Sequence, residues 1–125
     1  MCILAREPAQ GLTANEIEEH FADKHSLQDL AAAYAIAHNQ FGWVEDHEYD
    51  FVVGSPEHKA ACIVTDEWCR LMEKYEKIIF DILRSEGIEI PTTRQIVVLI
   101  PFMKKYGYED RGGWWVKNTA KTNSI

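Results

Sequence analysis

Seven apolar side chains, Ala61, Val64, Trp68, Leu71, Tyr75, Ile78 and Ile82, follow one another at alternating spacings of three and four residues. Such a repeat places them on one stripe of an α-helix that packs against other helices. The segment that carries it, residues 56–86, opens with Ser55-Pro56, a serine cap followed by proline at the first helical position. Gly87 supplies the stop. The pattern predicts one rod, about 46 Å long at the ~1.5 Å rise of a helix. Asp66 with Arg70 and Glu73 with Lys77 stand in the favourable order for four-residue pairs on its exposed side. Beyond Tyr75 the apolar surface widens through Ile78, Ile79, Phe80, Ile82 and Leu83. The carboxyl half is therefore expected to be sandwiched between several elements, and the amino half to be half exposed.

Boundary signals place the other elements. Thr13 and Glu16 form a capping box, with Leu12 and Ile17 as a hydrophobic staple, for a short acidic helix ending near Asp23. Ser26 caps a second helix, with Asp29 in its first turn and Leu27, Leu30, Ala31 and Tyr34 at helical spacing. Gly42 is expected to end it. Tyr49, Phe51 and Val53 alternate with neighbours of other character, which suits a short, half-exposed strand. Thr92 and Gln95 make a further capping-box pair ahead of Ile96 to Ile100, and Lys104, Lys105 and Gly107 mark the far end. These signals favour a helix over 93–106, bent at Pro101. The β-branched run before that proline supports the competing reading of a buried strand. After the Gly112-Gly113 turn, Trp114 to Val116 reads as a short strand that pairs with residues 48–53.

The expected fold is thus mainly α: a compact bundle of about four helices near residues 14–23, 27–41, 56–86 and 93–106, built on the long central helix, with a minor two-stranded β-ribbon. The alternative is an α+β arrangement with 95–100 as a strand. A chain of 125 residues is read as a single globular domain, with 1–12 extended and 118–125 frayed.

Composition narrows the functional classes. The formal net charge is −7, which argues against nonspecific whole-surface binding to nucleic acid or anionic membrane. The longest nearly apolar run, Ile96 to Met103, is too short to span a bilayer. The first residues lack a basic stretch ahead of a long apolar one, so no signal peptide is recognised and a cytoplasmic setting is expected. Cys62 and Cys69, seven residues apart on one helix, are too far separated along its axis for a disulfide. They read as reduced, partly buried thiols flanking the apolar stripe, and Cys2 is too near the terminus to assign.

Signatures of chemistry are sparse. Glu45, Asp46, His47, Glu48 and Asp50 include metal-ligand types, but their order fits no calcium loop, and they read as a solvated acidic edge. The histidines His20, His25, His38, His47 and His58 form no His-Glu-x-x-His and no Cys/His zinc spacing. Di-iron, serine-hydrolase and phosphate-loop patterns are lacking. No cofactor and no metal is expected. A helix-turn-helix reader is disfavoured by the acidic, alanine-rich second helix.

From Arg94 onward six basic residues face Glu109 and Asp110, so that segment is +4 while residues 1–93 are −11. Tyr106, Tyr108, Trp114 and Trp115 are interleaved with those charges. Three functions remain open. The leading expectation is a non-enzymatic protein-protein interaction or accessory module that self-associates as a homodimer, with Trp68, Leu71 and Trp115 as contact residues. The second is a nucleic-acid-binding accessory protein acting through Lys104, Lys105, Tyr108, Arg111 and Trp114. The third is a small enzyme whose site is assembled from scattered residues such as His38, Asp50 and Tyr75.

Overall fold

A computed structural model describes residues 13–92 and 95–117 of the chain. The proposed extended segment 1–12, with Leu12 of the staple and Cys2, and the proposed frayed tail 118–125 lie outside the described residues. The fold is mainly α, with four α-helices and one small antiparallel ribbon among the described residues.

Helix α1 spans Ala14–His20. Its capping box is formed: the Glu16 N–H donates to Thr13 Oγ1 at 3.1 Å, and Glu16 Oε1 accepts from the Thr13 N–H at 2.9 Å. Helix α2 spans Leu27–His47, with Ser26 Oγ accepting the Asp29 N–H at 3.0 Å. It runs past Gly42, which corrects the expected stop. A glycine inside a helix costs only about 1 kcal/mol relative to alanine. Phe41 and Val44 pack against the core on either side of it. The rings of Trp43 and His47 also stack at 4.0 Å one turn apart.

A single 3-10 turn, Glu48–Asp50, follows, where a strand was expected. Here α2 occupies the chain up to His47, and the remaining loop must return directly into the next helix. Tyr49 and Val53 are 68% and 69% exposed, and the alternation there has no sheet to join. Helix α3, Pro56–Ser85, is unbroken. It ends in a Schellman motif: the Gly87 N–H donates to the Arg84 carbonyl and the Ile88 N–H to the Leu83 carbonyl. Gly87 has φ 86°, the left-handed conformation that this motif requires.

Helix α4 spans Ile96–Lys105, so 95–100 is not a strand and the α+β alternative falls away. Leu99, Phe102 and Met103 are buried at helical spacing while Ile96, Val97 and Ile100 face outward. A buried strand does not divide its faces in that way. The Thr92–Gln95 box does not start this helix: Gln95 itself is the cap, without a side-chain bond. Strands β1, Tyr108–Asp110, and β2, Trp115–Lys117, pair antiparallel with Asp110 opposite Trp115. The ribbon therefore uses 108–110, not 48–53, as the partner of the second strand. A tight turn suffices for that pairing. The Arg111 N–H donates to the Trp114 carbonyl at 2.8 Å, and Asp110 Oδ1 accepts the Gly113 N–H at 2.8 Å.

Helices α2 and α3 pack along each other as a hairpin. The longer α3 is not the enclosed one. Ala31, Ala33, Ala35 and Ala37 of α2 are all fully buried, so the middle of α2 is covered on every side and its small side chains admit close neighbours. On α3 the buried seam is Thr65, Trp68, Leu71, Tyr75, Ile79 and Leu83, with Phe80 buried beside Ile79. Val64 is exposed, and Ile78 and Ile82 only flank the core. The strict heptad of the sequence drifts because a straight helix has 3.6 residues per turn, and its stripe slips by ~20° per seven residues. The expected Glu73–Lys77 pair is replaced by Lys77 with Asp81 at 3.1 Å.

The ribbon is fastened by a polar residue. Buried Asn39 of α2 donates through Nδ2 to the Trp115 carbonyl at 2.8 Å and accepts the Trp115 N–H through Oδ1 at 2.9 Å. Replacing Asn39 by alanine leaves both backbone groups unpaired inside the core. Asn39→Ala is expected to lower unfolding free energy by about 2–6 kcal/mol, from ~1–3 kcal/mol for each of the two orphaned groups, with the loss read from urea unfolding midpoints.

Candidate functional site

The residues singled out for partner contact lie inside the single chain. Trp68, Leu71 and Trp115 are 3%, 4% and 1% exposed. Trp68 and Leu71 belong to the α3 seam, and Trp115 is anchored by Asn39, so none of the three presents a surface to a second molecule.

The basic aromatic segment is likewise largely occupied by its own fold. Tyr108 is buried and Trp114 meets the Trp43 ring edge-on at 6.4 Å. Arg111 is ion-paired with Glu109. Lys117 donates to the Tyr106 carbonyl at 2.8 Å and lies over the Tyr108 ring. Lys104 and Lys105 remain exposed at the end of α4. Among the described residues, charges remain at this surface, while Tyr106 and Trp114 are half-buried and Tyr108 is buried.

His38, Asp50 and Tyr75 sit in three different neighbourhoods. His38 packs against Tyr34 and Trp115, and its Nδ1 is buried with no hydrogen-bond partner among the described residues. Burial lowers its pKa, against a hydrogen bond to Asn39 and the Asp110 carboxylate, which raise it. Tyr75 packs on Phe21 at 6.4 Å, and burial together with Glu18 pushes its hydroxyl up to about 12. Asp50 is exposed on the 3-10 turn. Nothing here joins them into one reacting centre.

Two places do gather functional potential. The first is an open groove of about 400 Å³ between the carboxyl end of α3 and α4. Its floor is built from Leu83, Phe102 and Ile82, and its walls from Ile88, Val97 and Pro101. The Schellman turn throws Ile88 back over Leu83, which sets one wall. Pro101 sets the other: having no N–H, it leaves the Val97 carbonyl without its helical donor at the exposed surface. Glu86 and Lys105 stand on the rim, one of each sign. Ile88 and Val97 are exposed at its edge, while Ile96 and Ile100, also exposed, lie on the far side of α4 by their helical spacing.

The second lies at the opposite end of α3. His58 and Cys62, one turn apart, converge with Glu48 of the 3-10 turn, and their donor atoms all lie within 4.8 Å of one another. Cys62 is half-buried beside the seam, and its thiol pKa is raised by burial and by the nearby Glu48 and Asp66 carboxylates. This cluster was not legible as a metal pattern. It joins a residue read as part of an acidic edge to two residues read separately, and only the return of the chain after α2 brings them together. The one local signal was the His-x-x-x-Cys spacing on a helix.

No helix among the described residues is long and apolar enough to cross a membrane. No protein-family model, no curated protein and no solved structure matches this chain.

The buried His38 has a measurable consequence. Its folded-state pKa lies below the ordinary 6.5, so the unfolded chain binds a proton at a higher pH than the folded one. The stability it contributes is fully present above about 6.5 and declines as pH falls from there through the folded value. The slope has a ceiling of ~1.4 kcal/mol per pH unit for one proton. Urea unfolding of the protein and of His38→Gln between pH 7 and pH 5 is expected to show a flatter pH dependence in the variant.

Proposed function

We propose that this chain is a non-enzymatic interaction module that self-associates as a homodimer through the α3–α4 groove. The observation that carries this reading is the open apolar groove with a mixed-charge rim, at which Ile88 and Val97 are exposed. Contiguous exposed apolar surface of this kind marks interaction sites more often than does the scattered apolar surface of a monomer.

Charge complementarity favours a second copy as the occupant. In a two-fold contact the same patch meets itself, so a residue at one place faces a residue at another, and the reverse. A rim with Glu86 at the end of α3 and Lys105 at the end of α4 is complementary to itself in that sense. Both side chains are on exposed residues, so each such pair contributes only ~0–1 kcal/mol, and burial of the apolar face supplies most of the association energy. A cytoplasmic setting belongs to the same reading, supported by the two free, half-buried thiols Cys62 and Cys69.

Sedimentation velocity over a concentration series tests the proposal. The wild-type chain is expected to dimerise, and Val97→Asp to weaken the dimer at least tenfold. Glu86→Lys and Lys105→Glu each disturb two symmetry-related contacts, so each is expected to weaken it about 5- to 30-fold, from ~1–2 kcal/mol. The double reversal is expected to restore it. A wild-type chain that stays monomeric at millimolar concentration, or a dimer indifferent to Val97→Asp, overturns the reading.

A further inference from the structure

We infer that Glu48, His58 and Cys62 form a binding site for a zinc-class divalent metal ion. The Cys62 Sγ lies 3.8 Å from His58 Nε2 and 4.0 Å from His58 Nδ1, and a carboxylate oxygen of Glu48 completes a set of donors within 4.8 Å of one another. Zinc bonds of ~2.0–2.3 Å in tetrahedral geometry require donors about 3.3–3.6 Å apart. The three atoms, all within 4.8 Å of one another, therefore need to draw together by up to about 1.5 Å, which side-chain rotation supplies.

Each donor is positioned by the fold. Ser55 and Pro56 start α3, with Ser55 Oγ accepting the His58 N–H at 3.1 Å. That start sets His58 and Cys62 on one face, a turn apart, as a two-point chelate. The Glu48 carboxylate reaches across from the 3-10 turn and is held by the Thr65 hydroxyl, which donates to Oε2 at 2.9 Å. A polar neighbour that orients a carboxylate ligand is a usual companion of metal sites. The Tyr49 ring lies against the His58 ring at 5.7 Å. The Gly54 N–H contact to His58 Nδ1, long at 3.4 Å, is the weak bond that a metal at that nitrogen displaces.

The donor set selects the ion. One thiolate, one imidazole and one carboxylate suit zinc or cobalt and do not suit calcium or magnesium, which take oxygen donors only. Three protein ligands leave a fourth position for water. As the sulfur–metal bond forms, the Cys62 thiol releases its proton to solvent, while neutral imidazole and ionised carboxylate release none. The site stands on α3 at the end opposite the dimer groove and does not rest on the self-association reading.

Cobalt(II) titration of the full chain with a non-thiol reductant is the test, followed by absorption spectroscopy. The expected result is one cobalt per chain, a thiolate-to-cobalt charge-transfer band, and intense visible bands of a tetrahedral site that zinc abolishes and excess magnesium does not. Cys62→Ser is expected to lose the charge-transfer band. Glu48→Gln and His58→Gln are each expected to weaken binding at least tenfold with unchanged helical circular dichroism, and Cys69→Ser to bind as the wild type does. No charge-transfer band with excess cobalt overturns the assignment, as does a band that survives Cys62→Ser or disappears with Cys69→Ser.

Discussion

One buried side-chain amide joins the helical and extended parts of this molecule. Asn39 lies on the enclosed helix α2 and satisfies both backbone groups of Trp115 in β2. A three-residue strand pair is too small to be stable in water by itself, and it needs an apolar face or a neighbour to pack on. Asn39 supplies the missing edge partner, and Trp115 supplies the apolar anchor against Tyr34 and His38. The two interactions depend on each other. The indole places the strand where the amide can reach, and the amide removes the cost of burying the backbone that carries the indole. The ribbon of the carboxyl-terminal segment, with Tyr108, Trp115 and Lys117, is thereby committed to the fold. That commitment is why a surface rich in lysine and tryptophan in the sequence offers few free aromatic faces among the described residues.

Much of the helical layout was legible because helix signals act over short distances. Thr13, Ser26 and Ser55 each cap a backbone N–H three residues ahead, so residue type and spacing carry the information. The α3 repeat likewise reports a packed face directly. Its inward residues were legible only in part, because the alternation of three and four is exact in letters and approximate in a straight helix. Val64 and Thr65 exchange places for that reason, and Trp68 becomes core where a contact was expected. Features that depend on distant chain were not legible. Asn39 shows nothing locally that marks it as the partner of residue 115. Gly42 reads as a stop, yet the packing of Phe41 and Val44 on either side outweighs its modest helical penalty. Once α2 extends through His47, the acidic stretch no longer has room to be a strand, and the ribbon must find its partner in 108–110.

The same shift in where α2 ends creates the Glu48, His58 and Cys62 convergence. With α2 ending at Gly42, Glu48 lies on an exposed strand with its carboxylate beside those of Asp46 and Asp50. With α2 continuing to His47, Glu48 sits instead on the turn that meets the first three turns of α3, and its carboxylate finds Thr65. A single misplaced boundary thus changes the chemical neighbourhood of a residue whose type was noted from the outset. Boundaries are set by tertiary packing more than by local preference, and they are the part of a helix that one sequence specifies least.

The length of α3 separates the two proposed activities in space. From Cys62 to Ile82 the helix rises about 30 Å at ~1.5 Å per residue. The apolar groove is built on its carboxyl end, and the Glu48, His58 and Cys62 donors on its amino end. Sites that far apart with no shared partner couple weakly unless a two-state element joins them. The helix between them is continuous and its middle is held by the buried seam of Trp68, Leu71 and Tyr75. No hinge interrupts it. A substitution in the groove therefore acts on association, a substitution among the donors acts on ion binding, and each leaves the other property as its internal control.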